Sequence, residues 1–143
     1  MFLELLNKKD YNIEAKQLYL ELNQDNNRSH NSLTISEIKE IITERNNILV
    51  NYGLVELSVD VIKKLIKNFS SSPYIIQENY MDTVVELQEI FYYAKRETDD
   101  KLGDDMLIKL MTEKFNNDCR GSLDLLWISI ERYATKFRRD NLK

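Results

Sequence analysis

Few residues in this chain are of types that do chemistry near neutral pH. There is one histidine, His30, and one cysteine, Cys119. A nucleophilic site needs a base beside the nucleophile. His30 sits in the polar run from Asn23 to Ser32, which reads as a surface loop. Cys119 precedes Arg120 and a helix start, and both would favour a thiolate. A small buried or half-buried cysteine without a role is the better account. One His and one Cys exclude a Cys/His zinc cluster and an intrachain disulfide. Acidic residues offer another route to a metal. Asp99, Asp100, Asp104 and Asp105 flank Lys101, Leu102 and Gly103, but the ligand alternation of an EF-hand is absent. Asp82, Glu86 and Glu89 form an acidic helical strip without the Glu-x-x-His pairs of a di-metal bundle site. No Gly-rich phosphate loop precedes a helix. No metal or cofactor is expected.

The sharpest candidate is Arg45. Ile35, Ile38, Ile41, Ile42, Ile48, Leu49 and Tyr52 share one face of a helix, and Arg45 falls inside that arc, between Ile38 and Ile41 on the wheel. A guanidinium there must snorkel or be paired, because an unpaired buried charge is too costly. Glu86 is the expected partner, since it borders the apolar arc of a second long helix beside Thr83 and Ile90. Such a pair would fix helix register, or Arg45 would hold a ligand carboxylate or phosphate.

The elements that must position these residues are helical. Three Gly and one Pro in 143 residues leave little punctuation for a many-turned β fold. Phe2, Leu5 and Leu6 suit a short first helix, and Tyr11, Ala15, Leu18, Tyr19 and Leu22 a second. The third is the best delimited. Thr34 to Glu37 has the capping-box pattern, Leu33 and Ile38 the hydrophobic staple, and Gly53 the C-terminal stop. Val59, Ile62, Leu65, Ile66 and Phe69 follow in a fourth, with Ser58 as candidate cap. The fifth runs from about Ile76 to Arg96 and is apolar around most of its girth, which marks a helix with neighbours on several sides. A sixth, from about Asp105 to Phe115 with Asp104 as cap, and a seventh from about Ser122 complete the chain. The stretch Leu54 to Leu57 suits an extended segment, which alone makes no sheet. The expected fold is all-α: a single domain over 1–143, a compact bundle of five to seven helices around a long apolar central one, with 1–32 its least defined part.

Ser72-Pro73-Tyr74, Asn79-Tyr80, the run Glu86 to Tyr93, Asp104-Asp105 with Leu107-Ile108, Gly121-Ser122-Leu123 and Arg45-Asn46 together form a pattern. Over about Leu33 to Arg132 the chain resembles an uncharacterised family of small helical proteins, a domain of unknown function from clostridia and related Firmicutes. The resemblance implies an intracellular bacterial protein and no particular activity.

Charge narrows the partners. Lys and Arg number 20 against 24 Asp and Glu, a net charge of −4, so no basic field covers the surface and nucleic acid is not expected as a partner. The one basic stretch is C-terminal: Arg132, Lys136, Arg138, Arg139 and Lys143 against Asp140. It complements a helix dipole, or it contacts RNA, a phosphate or an acidic partner, such as the acidic strip of a second copy. No apolar run is long enough for a membrane span, and the N-terminal run lacks the order of a secretory signal, so a cytoplasmic protein is expected.

The reading is therefore a non-catalytic protein-interaction or regulatory module, whose partner is another protein or a second copy of itself in a dimer. Met81, Val85, Tyr92 and Tyr93 are its candidate interface, because consecutive aromatics on a helix cannot all face one core. The alternative is an enzyme or small-ligand binder with a carboxylate/arginine pocket inside the bundle.

Overall fold

A computed structural model describes residues 11–24, 32–56 and 58–141. The expected first helix at Phe2 to Leu6, His30 and Lys143 lie outside the described residues. Among those described, the chain forms six α-helices and no strand: α1 (Asn12–Gln24), α2 (Ile35–Tyr52), α3 (Asp60–Phe69), α4 (Tyr80–Glu97), α5 (Asp104–Glu113) and α6 (Leu123–Asn141). A 3-10 turn, Gln77–Asn79, leads into α4, and a π-helical turn, Lys114–Asp118, follows α5.

Local chemistry sets α2. The Thr34 hydroxyl accepts from the Glu37 N–H at 3.0 Å, and the Glu37 carboxylate accepts from the Thr34 N–H at 2.9 Å. The capping box thus satisfies amides that the first turn leaves free. At the other end Gly53 takes φ 68°, a left-handed conformation that only glycine reaches without strain. Two expected caps are different in the structure. α3 starts at Asp60 with Val59 before it, and Ser58 accepts from the Asp60 N–H at 3.2 Å as a turn residue. Gly103, not Asp104, precedes α5, because the Asp104 carboxylate is drawn to Lys95 at 2.7 Å.

α4 packs against α2, α3 and α6. Tyr80, Val84, Leu87, Ile90, Phe91, Tyr92 and Ala94 along it are all buried. Each large apolar side chain taken out of water contributes about 1.5–3 kcal/mol, which is how a chain with one core offsets its ordering entropy. α1 closes one side through Tyr11, Ala15 and Leu18, and α6 the other through Leu126, Ile130 and Ala134.

The lower end is held by an aromatic stack and two close turns. Phe69 and Tyr74 both meet Phe115 edge-on, at 5.5 and 6.3 Å. The Ser72 hydroxyl donates to Asn116 Oδ1 at 2.6 Å. Gly121 has φ 81°, and a Cβ there would stand 2.4 Å from Tyr74. Gly53 has open space around it. Gly53→Ala should therefore cost only left-handed strain, about 1–2 kcal/mol. Gly121→Ala adds the displacement of Tyr74, about 1–3 kcal/mol more. Urea unfolding of the two variants should rank them in that order, and equal midpoints would refute the close approach.

Candidate functional site

Arg45 is wholly out of water, at 0% exposed. Its neighbours follow from the end of α2. The Gly53 N–H bonds back to the Val50 carbonyl at 3.2 Å and the Leu54 N–H to the Leu49 carbonyl at 2.8 Å. This turn returns Glu56 and Ser58 to the face that carries Arg45. There Nη1 donates to the Ser58 carbonyl at 2.7 Å, and Nε donates to Asn46 Oδ1 at 2.8 Å. Nη1 also stands 4.0 Å from Glu56 Oε1. Arg45 Nη2, Asn46 Nδ2 and the Tyr92 hydroxyl are buried without a hydrogen-bond partner among the described residues. Such atoms are rare in folded proteins, because an unmade bond costs the full desolvation of the group.

Burial pushes the Glu56 carboxyl above the usual carboxylate range, opposed by the Tyr92 hydroxyl and by Arg45. Burial, and then the Glu56 charge, raises the Tyr92 phenol far above its ordinary value, so it is a proton donor at neutral pH. Lys95 stands at the outer end. Its Nζ lies 2.7 Å from Asp100 Oδ1, Asp104 Oδ1 and the Leu102 carbonyl. Burial works to lower its pKa, but the two aspartates outweigh that and hold it above the ordinary lysine value. Glu56, Tyr92 and Lys95, with Leu49, Leu54, Val55 and Phe91, line a half-open pocket of about 420 Å³.

Arg45 and Glu86 are not brought together. Glu86 is half-exposed and lies with Glu40, Glu44, Asp82 and Glu89 along a groove of about 280 Å³ between α2 and α4, floored by Met81 and Val85. None of these carboxylates has a cation partner among the described residues. The hydrogen bonds that Arg45 does make go to the returning chain and to Asn46, its own helical neighbour, and Nη2 has no partner among the described residues. The four candidate interface residues also separate. Met81 and Val85 line the acidic groove, while Tyr92 is 2% exposed and belongs to the core. Tyr93 meets the Trp127 ring edge-on at 5.5 Å, so it faces α6 of its own chain.

A second groove, of about 430 Å³, runs along α6. Leu125 and Ile128 are half-exposed there, and Lys114, Arg132 and Lys136 surround them. Cys119 also lines it; burial pushes its thiol up, with Asp118 adding to the shift, which argues against a reactive thiolate. Arg138 pairs with Glu97, so that part of the basic C-terminus is neutralised within the chain. Glu56, Ser58, Lys95 and the α6 groove were not evident from helical periodicity. The one sequence signal for Glu56 is an acid set within the apolar run Leu54 to Leu57.

A family of unknown function, DUF6323, matches residues 18–143, and the chain belongs to it. No curated protein and no solved structure matches the chain. Among the described residues no group of acidic, His or Cys side chains is placed to hold a metal ion, and no helix is long and apolar enough to cross a membrane.

Arg45→Met leaves Glu56 and the Ser58 carbonyl without their partner. It should cost about 3–5 kcal/mol in urea unfolding, and adding Glu56→Leu should recover much of that. An unchanged midpoint for the single variant would contradict the burial of Arg45. The pH dependence has a definite sign. Glu56 has a higher pKa folded than unfolded, so the native state binds more protons between the two values. Its contribution is fully present below the ordinary value of 4.5 and is lost as pH rises through the raised one. Stability in Glu56→Gln should decline less over that window, as read by thermal unfolding against pH; identical slopes would contradict it.

Proposed function

We propose that this protein is a non-catalytic interaction module that associates with a second copy of itself through two grooves of opposite charge. The observation that carries the reading is their complementarity. The groove between α2 and α4 sets five carboxylates around an apolar floor of Met81 and Val85. The groove on α6 sets three cations, Lys114, Arg132 and Lys136, against one acid, Asp118, around the apolar Leu125 and Ile128. Leu125, Ile128, Arg132 and Lys136 follow the three- and four-residue spacing of one helical stripe. Apolar contact supplies affinity and complementary charge supplies orientation and rate. The two surfaces are different patches of one chain, so the contact is head-to-tail and gives rings or open chains as well as dimers. A cytoplasmic setting fits the single free Cys119, and a clostridial source fits the Asn-, Ile- and Lys-rich composition.

Sedimentation at micromolar concentration and low salt should show species larger than the 17.0 kDa chain, dissociating as salt screens the grooves. Glu86→Lys should weaken association and Lys136→Glu should do the same. The double variant should restore it, because each contact then pairs the reversed charges. A single 17.0 kDa species in low salt at all concentrations would end this reading.

A further inference from the structure

The groove along α6 has two ends of different chemistry. One end carries Leu125 and Ile128, which remain 50% and 45% exposed. The other carries Arg132 and Lys136. All four lie on one stripe of the helix, so the apolar and cationic parts follow each other along one axis. The opposite wall is the π-helical turn with Cys119 after it, and it contributes Lys114 and Asp118. The Cys119 thiol is uncharged at neutral pH, because burial pushes it up, and so it adds to the apolar lining. Lys114, Arg132 and Lys136 make no ion pair among the described residues. Asp118 is the one acid in the lining, so the groove keeps a surplus of positive charge in a chain of net charge −4. Two walls make it a trough, and its volume of about 430 Å³ lies in the range of small-molecule sites.

Length and polarity define what fits. From Leu125 to Lys136 the stripe rises about 16 Å, at about 1.5 Å per residue, and Arg132 lies about 10 Å along it. An extended chain of about ten carbons, with bonds of about 1.5 Å, covers roughly 12 Å and reaches from Leu125 to the space between the two cations. We propose that the α6 groove binds a free straight-chain carboxylic acid of about ten carbons, its carboxylate between Arg132 and Lys136 and its chain over Ile128 and Leu125. Such an anion offers what the acidic groove offers, a carboxylate beside an apolar surface, and so it competes with the second copy. The competition rests on the self-association proposed above; the binding does not. Inorganic phosphate would leave Leu125 and Ile128 in water, and an uncharged chain would cover the cations without pairing them.

Calorimetric titration of the Glu86→Lys chain, whose α6 groove is unaltered, reads the binding without self-association. Decanoate below its micelle-forming concentration should bind saturably. Hexanoate is too short to span the stripe and decyltrimethylammonium has the wrong charge, so each should bind at least tenfold more weakly. Ile128→Ser and Lys136→Gln, each added to the same chain, should weaken decanoate about tenfold with an unchanged circular dichroism spectrum. In the unmodified chain, sedimentation should show decanoate returning the assemblies to 17.0 kDa. Hexanoate at the same concentration screens charge equally and should leave them assembled. No saturable binding of decanoate would overturn the proposal. So would hexanoate or decyltrimethylammonium binding as tightly, variants that leave the affinity unchanged, or assemblies that persist with decanoate bound. Decanoate binding to a chain that never assembles would end the self-association and keep the site.

Discussion

A guanidinium withdrawn wholly from water imposes demands on everything around it. Its charge must be balanced and its N–H groups met, or the chain does better to expose it. Arg45 sits at this limit in the middle of an isoleucine-rich face, and several features of the fold answer it. The left-handed turn at Gly53 brings the chain back so that the Ser58 carbonyl and Glu56 reach it. Asn46, next to it on the helix, supplies an oxygen at 2.8 Å. Tyr92 from α4 stands against the same pair and is thereby held in the core. The Arg45 cluster is incompletely satisfied. A fully satisfied buried network rigidifies a core, while each unpaired buried group keeps its desolvation cost.

The same helix pair carries two unlike environments at different heights. α2 and α4 meet along an apolar seam, with Gln88 Nε2 donating to the Ile41 carbonyl at 3.4 Å. Five carboxylates gather around Met81 and Val85, while Arg45, Glu56 and Tyr92 meet near the C-terminal ends of the two helices. Tyr92 follows Val85 by seven residues, which is about two turns of helix on the same side. Position along the axis, not the face of the helix, separates the two on α4.

What could be read from the sequence was local. The bounds of α2 follow from Thr34, Glu37 and Gly53, each acting on backbone within a few residues of itself. The all-α architecture follows from periodicity and sparse punctuation. The inward position of Arg45 also follows from the wheel. Its partner does not, because Glu56 arrives by way of a turn whose direction depends on tertiary packing. Helix faces alone point to Glu86, which lies in the acidic groove. Tyr92 lies in the core and not at an exposed face for a related reason. The run Phe91, Tyr92 and Tyr93 does point in different directions, but neighbours stand on each of them: Phe91 and Tyr92 lie in the core and Tyr93 on α6. The Asp104 carboxylate goes to Lys95, a tertiary partner, while Ser58 meets the Asp60 N–H from one residue before the cap position.

The π-helical turn after α5 has a consequence for how this chain can vary. It closes with the Cys119 N–H on the Lys114 carbonyl at 2.8 Å, and the Gly121 N–H then reaches the Phe115 carbonyl at 2.8 Å. Such a turn holds one residue more than an α-helical one. Phe115 is thereby anchored in the aromatic stack while Lys114, Asp118 and Cys119 swing to the groove along α6. Loop segments elsewhere tolerate a lost or gained residue with little effect. Here a single deletion would rotate all that follows by about 100°, one residue of helix. Gly121 would leave its contact with Tyr74, and the stripe of Leu125, Ile128 and Arg132 would turn away from Lys114. In this stretch, length itself is under constraint, independent of which side chains fill it.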